Sequence, residues 1–358
     1  MRILFGRRWV ALLAAAWSLV GMKAEATADV EELLAAINKK PEAERRKTLF
    51  EGAQKERIVY YYGSTSLSDT QEIIRGFNKQ YPFIEVRFTR LGGASVANKV
   101  MTEYRANVHN VDVVSLRGTF VPELAERKII IKYDSPNRLF LRKGFADAEG
   151  YLSGVYATGY TMIYNTKRVK PGEAPKSYED LLQPRWKGRL VIDAEGYDWF
   201  AGIIDLWGEA KANSFLQKLT NDQNLKFLRG GSHTHMTQLV AAGEHDLLID
   251  GYVHNGVEIK GQGAPIDYVF VTPVIVRPPS TVSITSKPPH PHAAALFTDY
   301  KLSKESHELM AHKQSRWTTR ADVKWITEPN TEVHVVSPLK WGRKYNDVVA
   351  SFKKITGT

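Results

Sequence analysis

The sequence predicts an α/β protein folded as two lobes around a central cleft. Three observations carry this expectation. Between residues 58 and 116, three short strand-like runs alternate with two amphipathic helices, the order that builds a parallel sheet through right-handed crossovers. A second set of strand and helix signals starts near Gly154 and runs to about residue 253. Strand-like stretches at 269–276 and 282–284 follow it and read as a return to the first sheet. A chain that leaves a sheet, builds a second domain and comes back has two hinge connections, the anatomy of lobes that close on a ligand.

The N-terminal residues read as a leader rather than as part of this fold. Arg2, Arg7 and Arg8 precede an apolar run from 9 to 20, and Ala24-Glu25-Ala26 places small residues at cleavage positions. That run is short for a bilayer span, and the whole reads as a secretory signal peptide over 1–26. The chain has no cysteine, so no disulfide can brace the lobes and no lipid can be attached through a cysteine. An exported, unanchored protein is expected in a periplasm. The formal charge of +10 falls to about +7 without the leader, which favours an anionic ligand or simply solubility. The basic residues are scattered along the sequence, without the stripe of a nucleic-acid binder.

In chain order, residues 29–56 form two helices split near Pro41, with Leu33, Leu34 and Ile37 on one apolar stripe and Leu49, Phe50 and Ala53 on the other. A strand at 58–62 runs into the hydroxyl-rich loop Gly63-Ser64-Thr65-Ser66, where Ser66, Ser68 and Asp69 compete to cap a helix that buries Ile73, Ile74 and Phe77. Ile84, Val86 and Phe88 alternate along the next strand. The loop Arg90-Leu91-Gly92-Gly93-Ala94-Ser95 then leads to a helix with Val96, Val100 and Tyr104 on one face, and 112–116 is the third strand. Ligands on such sheets bind beyond the carboxyl ends of the strands, which gathers 63–66, 92–95 and 116–118 at one edge. In the second lobe, Tyr160, Met162 and Tyr164 mark a buried strand, with Gly159 a point of close backbone approach. Ser177 caps a short helix ended by Pro184. Strand 190–192 leads through Tyr197 into a helix, Gly230 to His235 form a loop before another, and strand 247–249 leads to Tyr252.

Three fragments in order, Tyr164-Asn165-Thr166, Ala174-Pro175-Lys176-Ser177-Tyr178-Glu179-Asp180-Leu181-Leu182 and Pro184-Arg185-Trp186-Lys187-Gly188, resemble the extracellular solute-binding proteins of ABC importers, with the ferric-ion-binding branch nearest in pattern. Ala241-Ala242-Gly243-Glu244, the helix start at His290-Pro291 and the Thr318-Thr319-Arg320 loop extend the resemblance, which runs from about 58 to 323. It implies a two-lobed clamshell of the type II periplasmic-binding-protein kind. The first lobe would take 27–153 and 274–320, the second 154–273 and 321–358. It also implies a monomer that delivers a solute to permease subunits in the inner membrane.

The ferric relatives hold iron through adjacent tyrosines, where this chain has Tyr252-Val253, often with a tyrosine near the position of Tyr197. The first loop here lacks a histidine and the second lacks a glutamate, so that donor set is half complete. Two readings stay open: a small organic or phosphate-type anion, or ferric ion through Tyr197 and Tyr252. The candidate ligand residues are Ser64, Thr65, Gly93, Ser95, Tyr197, His233 and Tyr252, each after a strand or at a helix start. His233 and His235, two apart on an extended segment, could chelate a metal or simply cap and hydrogen-bond. No resident cofactor is expected. No Gly-x-Ser-x-Gly, His-Glu-x-x-His, Walker or Gly-x-Gly-x-x-Gly pattern and no cysteine nucleophile is present, so an enzyme is not expected. A two-lobed transferase of the porphobilinogen-polymerising kind needs a cysteine for its cofactor.

Overall fold

The computed structural model describes residues 30–92, 94–230, 232–325 and 332–358. The expected signal peptide and Gly93 lie outside the described residues.

Two helices, α1 (Val30–Asn38) and α2 (Glu42–Glu56), open the first lobe and bury Leu34, Ile37, Leu49 and Ala53. The alternation of strand and helix signals then becomes β1 (Ile58–Gly63), α3 (Leu67–Gln80), β2 (Glu85–Arg90), α4 (Ser95–Arg105), β3 (Val113–Ser115) and a short α5 (Val121–Glu126). β1 pairs in parallel with β2 and β3. Ser66 wins the competition to cap α3, its hydroxyl accepting from the Asp69 N–H at 3.1 Å.

The chain enters the second lobe through β4 (Gly154–Ala157) and β5 (Tyr160–Asn165), separated by Thr158-Gly159 alone. The expected close approach at Gly159 is present: a Cβ there would lie 2.4 Å from the Trp317 ring. There follow β6 (Leu190–Asp193), α6 (Tyr197–Trp207), α7 (Glu209–Asn221), β7 (Lys226–Leu228), α8 (His233–Ala242), β8 (Leu247–Tyr252), α9 (Val253–Gly261) and β9 (Ile266–Val269). They form a sheet of order β7-β6-β8-β5-β9, parallel around β6 and antiparallel around β5. All six residues of β5 are buried, as its apolar and aromatic content predicts. Ser177 caps the expected short helix, accepting from the Asp180 N–H at 3.1 Å, although that helix is a single 3₁₀ turn.

The return path runs through β10 (Val274–Val276), β11 (Ser280–Thr281) and β12 (Ser283–Ile284), then α10 (Pro291–Lys301), α11 (Lys304–Gln314), β13 (Trp317–Thr318), β14 (Val333–Val335) and α12 (Pro338–Thr356). β12 rejoins the first sheet antiparallel to β3, giving the order β12-β3-β1-β2. β4, β11 and β13 form a small sheet of their own.

Each lobe has its own apolar core. Tyr61, Phe77 and Phe297 pack edge-on in the first. Trp186, Trp199, Phe200 and Phe352 lie within the second. Phe352 comes from α12, which also packs on α5 and the 118–120 turn. The last helix therefore touches both lobes. The fold is the α/β two-lobed clamshell with a central cleft.

Candidate functional site

The cleft holds a cavity of about 280 Å³ whose walls come from both lobes. Ser64, Thr65 and Ser66 line it from the loop after β1, Arg90 from the end of β2 and Arg117 from just after β3. The second lobe contributes Ser232 to Thr234 at the start of α8, Tyr252 at the end of β8, and His254 and Asn255 at the start of α9. The connections supply Tyr156, Thr158, Arg277 and Arg316. Of the residues singled out in the sequence, Ser64, Thr65, His233 and Tyr252 converge here.

The others do not. Ser95 begins α4 but does not line this cavity; its N–H caps back onto the Gly92 carbonyl at 2.8 Å. Tyr197 lines a different cavity, with Asp193, Arg229 and Lys353. Its ring is packed edge-on against Tyr345 and Phe352 of α12, at 6.3 and 5.4 Å between centroids. Tyr197 and Tyr252 therefore do not meet. His235 is exposed in the first turn of α8, where Ser232 accepts from its backbone N–H. The extended segment expected for His233 and His235 is helical, so the two rings do not share a side.

Sequence reading missed what dominates the cavity, its four arginines. They are far apart in the chain, yet Arg90, Arg117, Arg277 and Arg316 face one space. Three are held by internal partners. Arg117 reaches Asp198 at 3.1 Å and donates to the Tyr345 hydroxyl at 2.9 Å. Arg277 donates to the Tyr252 hydroxyl at 2.6 Å and to Asp198 at 3.4 Å. Arg316 donates to Asp69 at 2.9 Å and to the His254 Nε2 at 3.3 Å. Nε2 of His254 is then an acceptor, which requires a neutral ring, and burial followed by the Arg316 charge holds the His254 pKa well below its ordinary value. Two carboxylates, Asp69 and Asp198, pair directly with these guanidiniums, and Arg90 has none beside it among the described residues. The Nε atoms of Arg117 and Arg316 are buried without a hydrogen-bond acceptor among the described residues.

The phenols do not favour ferric ion. Burial pushes Tyr252 up to about 12 despite Arg277 and Arg117 beside it. Its oxygen is already occupied by Arg277, and the neighbouring charges repel a trivalent cation. The cavity's other tyrosine, Tyr156, has a lowered pKa: burial opposes ionisation, but Arg316, Thr65 and Ser280 outweigh it. Its ring lies under Arg316, 4.7 Å from the guanidinium carbon. Tyr156 is thus the more readily ionised of the two phenols, but it is covered by a guanidinium. The pair Tyr197 and Tyr252, read as metal ligands if the cargo is ferric, is not assembled in this conformation. Asp193, His233 and Asp250 bring donor atoms within 4.8 Å of one another behind the cavity wall. Their carboxylates face opposite ring nitrogens, at 3.7 and 3.5 Å.

Comparison with known proteins agrees with this architecture. Residues 109–346 match the model of the bacterial extracellular solute-binding protein family. An uncharacterized Haemophilus influenzae protein is 30% identical over 269 residues, 71% of this chain and 75% of that protein. The structure of iron-bound HitA from Pseudomonas aeruginosa superposes with a TM-score of 0.73 at 18% identity, over 83% of this chain and 99% of HitA. The periplasmic binding protein AfuA from Actinobacillus pleuropneumoniae, with fructose-6-phosphate bound, gives 0.71 at 25% identity, over 84% of this chain and 98% of AfuA. The chain belongs to the bacterial extracellular solute-binding proteins, the capture components of ABC importers.

Proposed function

We propose that this protein captures a small organic solute carrying a phosphate or similar dianionic group in the periplasm and delivers it to an ABC permease. The observation that carries this reading is the convergence of Arg90, Arg117, Arg277 and Arg316 on one cavity. Guanidinium forks suit the oxygens of a phosphate, and charge-assisted bonds in a partly closed cleft are the strong ones. A volume of about 280 Å³ is at the small end for ligand sites, which excludes a bulky cargo. Ser64, Thr65, Thr158, Ser232, Thr234 and Asn255 supply hydroxyls and an amide for the ligand's neutral part. AfuA, whose structure holds fructose-6-phosphate, is consistent with this reading, as iron-bound HitA is with the ferric one. Capture without turnover is the reading adopted, in keeping with a family of binding proteins.

The test is a thermal-shift screen with inorganic phosphate, glucose 6-phosphate, fructose 6-phosphate, citrate and ferric citrate. A phosphate monoester at a hundredfold its Kd should stabilise the protein by about 2.7 kcal/mol, and Arg277→Gln should reduce the shift at that ligand concentration. A visible tyrosinate-to-iron band on adding ferric citrate, with no response to any phosphate ester, would decide for iron.

A further inference from the structure

Tyr252 occupies the position where the resemblance to ferric-binding relatives places an iron-ligating tyrosine. Its surroundings give it a different task. The hydroxyl accepts from Nη1 of Arg277 at 2.6 Å. One ring face is covered by His233, stacked at 3.7 Å with an interplanar angle of 7°. Tyr160 and His254 crowd the ring at 5.7 and 5.6 Å between centroids. The two ring nitrogens of His233 face Asp193 and Asp250 at 3.7 and 3.5 Å, which flanks the stacked ring with carboxylates on both sides. Asp250 is fully buried and is itself fixed by the Asp193 N–H, which donates to it at 3.2 Å. The phenol is thus packed on one face and crowded at its sides, with its hydroxyl directed at Arg277.

Arg277 is correspondingly pinned. Tyr252 takes one terminal nitrogen and Asp198 the other, and the Arg277 backbone N–H donates to the Thr158 carbonyl at 3.0 Å. A guanidinium carries five N–H donors in a rigid plane. Clamping both ends of that plane sets which remaining donors face the cavity.

We propose that Tyr252 is a positioning residue that aims Arg277 at the ligand's anionic group, and not a metal ligand. This rests on the anion reading above. The chain Asp250, His233, Tyr252, Arg277 turns a tyrosine that could have held iron into the rear support of an arginine.

A double-mutant cycle tests it, read by calorimetry with glucose 6-phosphate and, in parallel, inorganic phosphate. Tyr252→Phe should weaken binding about tenfold, the scale of one hydrogen bond to a charged group. Arg277→Lys keeps the charge but cannot be clamped at both ends, and should weaken binding by more, roughly thirtyfold. In the Arg277→Lys background, adding Tyr252→Phe should change the affinity by less than about twofold, because the residue through which Tyr252 acts has gone. The slope of log Kd against log salt should be the same for Tyr252→Phe and the wild type, since no charge is removed. Arg277→Gln provides a second background if the lysine variant is unstable, with the same non-additivity expected. Additive losses overturn the proposal, as does a visible band with ferric citrate that Tyr252→Phe abolishes. Failure of the wild type to bind either phosphate probe, or unchanged binding in both Arg277 variants, overturns the anion reading and this inference with it.

Discussion

Replacing Lys301 by methionine should make the protein more stable at neutral pH. Lys301 closes α10 and is 6% exposed. Its ammonium donates to the Tyr61 hydroxyl at 2.6 Å, a phenol rather than a carboxylate. Burial lowers its pKa from 10.5 to about 8. The sign follows from proton counting: between pH 8 and 10.5 the unfolded chain holds a proton that the folded chain has released, so stability rises with pH across that window. Below pH 8 the full cost of the buried charge is present, on the order of 3 kcal/mol. Methionine keeps the apolar stem and removes the charge, while leaving Tyr61 without its donor at a cost of roughly 1–2 kcal/mol. The net gain at pH 7 is therefore about 1–2 kcal/mol; it should shrink as pH rises past 8 and reverse to a loss of roughly 1–2 kcal/mol above pH 10.5, where only the missing hydrogen bond to Tyr61 remains. Urea denaturation of both proteins at pH 7 and pH 10 measures it. A methionine variant less stable at pH 7, or a difference that does not change with pH, would refute the reasoning. The site adjoins the cleft: Thr65 and Tyr156 line both the ligand cavity and the small void of about 10 Å³ next to Lys301.

Two further outcomes follow from the same geometry. Arg90 is exposed at the end of β2 and has no side-chain partner among the described residues, so it acts through its field; Arg90→Gln should weaken phosphate-ester binding only about two- to fivefold at low salt and hardly at all at high salt, as titrations at the two ionic strengths would show. Gly159→Ala would drive a Cβ to within 2.4 Å of Trp317, which is buried and stacked on Trp325 at 4.5 Å. It should cost roughly 1–3 kcal/mol in a denaturant melt, and an unchanged midpoint would show that the hinge is softer than its packing.

What was legible in the sequence was local. The strand and helix order of the first lobe, the caps at Ser66 and Ser177 and the tight spot at Gly159 all depend on a few neighbouring residues, and each is present. Tyr252 and His233 were reachable because they follow a strand or open a helix, a rule that needs no knowledge of the far side of the molecule. The same rule placed Tyr197 on the ligand, and there it met a tertiary fact. α12 comes back across the second lobe and buries Phe352 and Tyr345 against the Tyr197 ring, and nothing near Tyr197 in the sequence announces that helix.

The arginines show the opposite failure. A count of basic residues along the chain finds them scattered, yet three of the four obey the rule used for the loop hydroxyls: Arg90 ends β2, Arg117 follows β3 and Arg277 follows β10. The signal was present and was passed over because one arginine at a strand end is most often solvated. What marks these as a site is mutual: each would repel the others unless carboxylates stood behind them and an anion in front. Asp198 and Asp69 supply the first. Asp198 opens α6 in the second lobe, whereas Arg117 stands on the first, so the ion pair that holds the arginine in place also ties the lobes together. A ligand that draws Arg117 toward itself must compete with that tie, and a dianion does so with more charge than the single carboxylate offers. On the proposed anion reading, a preference for doubly charged solutes would follow from that one buried aspartate.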